Sequence, residues 1–76
     1  MLIEIKRAYF ESYTAPRIER EWIILSRIIR LSLGTNYSEM GEDHEYVGIH
    51  LDNGEVVYTM EPLEDVLERF PRVAVL

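Results

Sequence analysis

Two histidines and a run of carboxylates offer the most chemistry in this chain. His44 stands in Glu42-Asp43-His44-Glu45, and His50 follows within an alternating segment. Imidazole and carboxylate together suit metal binding and proton transfer. This spacing, however, matches no closed zinc site, and a catalytic zinc takes three protein ligands. His50 falls on the polar side of its strand and reads as a cross-strand residue. Nucleophilic catalysis needs an activated hydroxyl or thiol beside a base. Ser12, Ser26, Ser32 and Ser38 sit in no Gly-flanked elbow, and there is no Gly-rich phosphate loop. The expectation is a non-enzyme with no catalytic residue, metal or cofactor. Arg17, Arg20, Arg27 and Arg30, with Trp22 among them, could contact phosphates and stack a base. The preferred reading makes the arginines the polar face of an amphipathic element, with Trp22 in the core.

Charge supports that preference. The chain has 76 residues and a net charge of −6. Residues 1–35 hold six basic against four acidic side chains, +2; residues 36–76 hold two against ten, −8. Direct nucleic-acid binding draws mainly on neutralised phosphates, which this balance opposes. At this length one domain, 1–76, is expected, with little stability to spare. There are no cysteines, so no disulfide supports it. No apolar run approaches a membrane span. The N-terminus lacks the pattern of a signal peptide, so the cytoplasm is the expected location.

The elements that position these residues are readable in part. In "YVGIHLDNGEVVYTM", Asn53-Gly54 suits the two central positions of a type I′ turn, both of which need positive φ. That turn sets Leu51 opposite Val56, Ile49 opposite Tyr58 and Val47 opposite Met60, an apolar face. The segment "EPLEDVLERFP" predicts a helix over 62–70: Leu63, Val66, Leu67 and Phe70 form one stripe, and Pro62 suits the first turn. The stripe is a natural cover for Val47, Ile49 and Leu51. "RVAVL" reads as a short extended tail. "REWIILSRIIRLSLG" reads as two strands, 21–25 and 28–33, broken at Ser26-Arg27, though Ile18, Trp22, Leu25, Ile29 and Leu33 also share a helical face. "LIEIKRAYF" is a strand, and "TNYSEMGEDHEY" an acidic loop. The fold class expected is α+β: a small antiparallel meander of about four strands with one C-terminal helix packed on one face. Open edges and a small core predict a homo-oligomer.

"WIILSRIIRLS" followed by "YVGIHLDNGEVVYTMEPLEDVLERF" resembles the small flagellar accessory proteins of the FlbD/SwrD type and similar phage or prophage proteins. The matching positions are Ile24, Leu25, Ile28, Ile29, Ile49, Leu51, Asn53, Gly54, Tyr58, Leu63, Val66 and Leu67. The likeness covers about residues 21–70 and implies the same fold and a non-enzymatic role. It departs at "RAYFESYTAPRIE", where those proteins have a tight hairpin, and at residues 34–45, an insertion. The function expected is a regulatory or accessory protein working through protein–protein contacts. The alternative is a phage-type acidic inhibitor: carboxylates on a rigid domain imitate duplex phosphates and occupy the basic groove of a nucleic-acid-binding protein. Candidate partner-binding residues are Glu39, Glu42, Asp43, Glu45, Glu61, Glu64, Asp65 and Glu68. Arg17, Arg20, Arg27 and Arg30 are candidates for docking the acidic half of a second copy.

Overall fold

A computed structural model describes residues 1–11, 15–37 and 42–70. Its elements are β1 (Leu2–Tyr9), β2 (Arg17–Ile24), a 3-10 turn (Leu25–Arg27), β3 (Ile28–Tyr37), β4 (Asp43–Leu51), β5 (Val56–Thr59) and α1 (Leu63–Glu68). The fold is the expected antiparallel sheet with one short helix. It has five strands rather than about four, in the order β2-β1-β5-β4-β3. The two-strand reading, 21–25 and 28–33, holds against the helical one, but β2 starts earlier, at Arg17, and Leu25 joins Ser26-Arg27 in the break. The segment 35–46, expected to be a loop, is strand at both ends: β3 runs through Tyr37 and β4 starts at Asp43. The tail at 72–76 lies outside the described residues.

β2 and β3 are the two outer strands, yet only three residues join them. Across a flat sheet, four inter-strand gaps of about 4.8 Å would put these edges about 19 Å apart. Four extended residues span at most about 14 Å, and a 3-10 turn spans less. The sheet therefore curls until its edges approach at this end. Hydrogen bonds anchor the connection at both ends by continuing the flanking ladders: Leu25 N–H donates to the Met1 carbonyl at 2.9 Å beyond the β1–β2 pairing, and Asp52 N–H to the Arg27 carbonyl at 2.8 Å beyond the β3–β4 pairing. The Arg27 Nε–Asp52 Oδ1 ion pair, 3.1 Å, lies beside them.

The curl encloses a core of Ile3, Ile5, Ile23, Val47, Ile49, Leu51, Val57 and Val66, with Leu31, Leu63 and Phe70 packed against it. Val66 is fully buried, so the helix covers the Val47/Ile49/Leu51 face as the stripe requires. The helix is shorter than the predicted 62–70. Pro62 stands at its N-cap and Arg69 at its C-cap.

The hairpin register differs from the type I′ expectation by one residue. Val47 pairs with Thr59, Gly48 with Tyr58, Ile49 with Val57 and His50 with Val56. Gly54 N–H donates to the Leu51 carbonyl at 3.1 Å, Leu51 N–H to the Glu55 carbonyl at 2.9 Å, and Gly54 has φ 88°. This is a three-residue loop closed by a left-handed glycine, the other common home for a turn glycine. Val57 and Thr59 therefore face the core, while Val56 and Tyr58 face out. Burial chemistry favours this outcome. The Thr59 hydroxyl is satisfied locally, accepting from Glu61 N–H at 3.1 Å. A Tyr58 turned inward would bring a hydroxyl that needs a partner.

Gly54→Ala should cost about 1–2 kcal/mol, because a side chain is strained in the left-handed region; no neighbour lies within 4 Å of the added Cβ. Val66→Ala should cost about 2–3 kcal/mol by opening a cavity beneath the helix. Urea denaturation of each variant measures both.

Candidate interaction surfaces

Between β1 and β5 only Arg7 and Thr59 pair. Beyond them the two strands separate, leaving a cleft of about 480 Å³ bordered by Ala8, Phe10, Asn36, Tyr46 and Tyr58. The alternation of β4 and β5 sends Tyr46 and Tyr58 to the outer face, where their rings meet edge to face at 4.9 Å. Phe10 joins them at 5.7 and 6.3 Å and stacks on His44 at 6.4 Å. Each such contact contributes about 0.5–1.5 kcal/mol beyond burial. Gly34 permits the cluster: a Cβ there would stand 2.5 Å from the Tyr46 ring.

Arg7 ties the seam. Its Nη1 donates to both carboxylate oxygens of Glu21 at 3.1 and 3.2 Å and to Glu55 at 3.2 Å. Its guanidinium lies 4.8 Å from the Tyr9 ring centre. Burial disfavours its charge, but the Glu21 hydrogen bond and charge, with Tyr9 and Glu55, outweigh burial and raise its pKa. Arg7 thus ties β1 to β2 and to the residue that leads into β5.

The one serine–histidine pair among the described residues is Ser32 Oγ with His50 Nε2, 2.8 Å apart. It crosses over Gly48, where a Cβ would stand 2.7 Å from Ser32 Oγ. Among the described residues no carboxylate is hydrogen-bonded to His50. The pair links β3 to β4, the cross-strand place that the polar-face reading of His50 anticipated. No group of three or more His, Asp or Glu among the described residues is placed to hold a metal. No helix there is long and apolar enough to cross a membrane.

The acidic candidates fall in two places. Glu42, Asp43 and Glu45 are exposed at the start of β4, and Glu64, Asp65 and Glu68 are exposed on α1. Glu61 stands apart, because it is mostly buried and paired with Arg69. That hydrogen bond is the main cause of Arg69's raised pKa. Glu39 lies outside the described residues. Three of the four arginine candidates are in ion pairs within the chain. Arg17 pairs with Glu11 at 3.5 Å and lies over Tyr9; Arg20 pairs with Glu4 at 2.8 Å; Arg27 pairs with Asp52. Arg30 is exposed on β3.

Trp22 is the main correction. Expected in the core, it is 54% exposed. Ile23, not Trp22, has the core-facing parity, since Ile3 pairs with Ile23 and Glu4 with Trp22. On the outer face Leu2 lies opposite Ile24, beside Trp22, and all three are exposed. The Glu4–Arg20 ion pair flanks them. The alternation Trp22, Ile24 opposite buried Ile23 was a signal available in the sequence once β2 is taken as a strand.

No protein family, curated protein or solved structure matches this chain.

Arg7→Gln should lower stability by about 1 kcal/mol, because two carboxylates lose a shared cation. It should also reduce the salt sensitivity of unfolding, read from urea midpoints in low and high sodium chloride.

Proposed function

We propose that this chain is a small interaction module without catalysis of its own, docking a protein partner on the outer face of the β1–β2 hairpin. The observation that carries the reading is Trp22, half exposed beside Leu2 and Ile24 with an ion pair at the rim. An apolar centre with a tryptophan anchor and a charged border is the anatomy of a binding hot spot. Buried apolar side chains are scarce in so small a domain. Leaving a tryptophan and two aliphatics on one outer face therefore forgoes burial that a docked partner would supply. The resemblance to flagellar accessory proteins agrees with a role in assembly or regulation rather than in chemistry.

A second reading rests on the exposed carboxylates. None of Glu42, Asp43, Glu45, Glu64, Asp65 and Glu68 is in a salt bridge among the described residues, so their charge is available to a basic groove. Mimicry of this kind weakens steeply with salt, whereas an apolar hot spot does not.

Trp22 is the sole tryptophan, so its fluorescence reports the docking face directly. Once a partner is captured by photo-cross-linking at residue 22, Trp22→Ser should weaken its binding by at least about 30-fold. Circular dichroism of the free variant should be unchanged. Wild-type affinity in Trp22→Ser, with loss in a Glu42→Lys/Asp43→Lys/Glu45→Lys variant and in high salt, would replace this reading with the acidic one.

A further inference from the structure

The two outer strands are built differently. β2 carries four charges in eight residues, Arg17, Glu19, Arg20 and Glu21, and every one is in an ion pair. Charged side chains on an edge strand keep further strands from adding to it. β3 carries one charge, Arg30, in ten residues. It exposes Ile29, Leu33 and Tyr37, at 65, 69 and 77%. No strand among the described residues pairs with its outer edge. These three side chains are spaced four apart, so they are symmetric about Leu33.

We propose that β3 is a homodimerisation edge: a second copy of this chain adds its own β3 antiparallel, about a two-fold axis at Leu33. Residues equidistant from Leu33 then face each other. Leu33 meets Leu33 of the second copy, Ser32 meets Gly34, Leu31 meets Thr35, Arg30 meets Asn36, and Ile29 meets Tyr37. The pairing keeps the core-side row apolar apart from Thr35, keeps the outer row polar, and sets no like charges opposite. A centre at Arg30 would place two guanidiniums face to face, which is destabilising. A centre at Ser32 would leave Tyr37 beyond the ladder. The β3–β4 register shifts between Ile28 and Arg30, an irregularity that bends the strand at that end of the added ladder, and a two-fold contact closes on itself rather than growing a fibre. Backbone hydrogen bonds supply the affinity and the apolar row supplies the register. The pairing uses the backbone edge of β3 and not the outer face of the β1–β2 hairpin, so its test is separate from that of the Trp22 face.

Because the chain has no cysteine, Leu33→Cys creates a single thiol on the axis. Sedimentation of the wild-type chain should give twice the 9.0 kDa of one copy. Leu33→Cys should cross-link to a covalent dimer under mild oxidation. Thr35→Cys, which faces Leu31 of the second copy, should not. Leu33→Lys places two like charges on the axis and should shift the protein to monomer with unchanged circular dichroism, since Leu33 is exposed in one copy. A monomeric wild-type chain would overturn the proposal, as would a dimer that survives Leu33→Lys or cross-linking at residue 35 as ready as at residue 33. If Leu33→Lys fails to fold, the cysteine pair decides alone.

Discussion

The architecture depends on one constraint of chain length: three residues must connect the two outermost strands of a five-stranded sheet. A flat sheet cannot meet it, because the edges would stand farther apart than the connection reaches. Curling satisfies it and at the same time creates an inside. Ile3, Ile5, Ile23, Val47, Ile49, Leu51 and Val57 converge there, and one short helix supplies Val66 to complete the enclosure. The ends of the polar backbone are bound into the same closure. Met1, the 3-10 turn and the β4–β5 turn are joined by hydrogen bonds from Leu25 and Asp52 and by the Arg27–Asp52 pair.

Curling also leaves a seam. β1 and β5 join at Arg7 and Thr59 and then separate, so the sheet is only partly zipped along that line. The molecule fills the gap with side chains rather than backbone. Phe10, Tyr46 and Tyr58 occupy the outer side, and Arg7 bridges Glu21 and Glu55 across it. The two glycines at Gly34 and Gly48 serve this outer layer by clearing room for Tyr46 and for the Ser32–His50 clasp. These polar and aromatic residues are consumed by holding the sheet together.

The remaining surface divides by chemistry. β2 is an edge defended by paired charges, but its outer face shows Trp22 and Ile24. β3 is an edge with little charge and exposed apolar side chains. Among the described residues the carboxylates of β4 and α1 are in no salt bridge, whereas Arg17, Arg20 and Arg27 each pair with a carboxylate. The described surface thus holds three chemically distinct places: an apolar face, an open edge and an acidic stretch.

Several elements were readable directly because their signals are local. The stripe Leu63, Val66, Phe70 marks a helix, Ile3 and Ile5 mark an inward strand face, and Gly54 marks a turn. Each depends on side-chain period or on backbone sterics within a few residues. The register of the hairpin was not readable to the last residue, because Asn-Gly serves both a two-residue and a three-residue loop. Packing chose between them, by burying Val57 with Thr59 and freeing Tyr58 for the aromatic cluster. The place of Trp22 depended on strand parity, which Ile23 decided by pairing across from Ile3. Local pattern was enough for the C-terminal helix, the Asn-Gly turn and the uneven charge, while residues 16–33 stayed open between two strands and one helix. Strand order, register, which arginines are spoken for and which apolar residues remain outside were settled in three dimensions, because each depends on partners far away along the chain that meet once the sheet has curled.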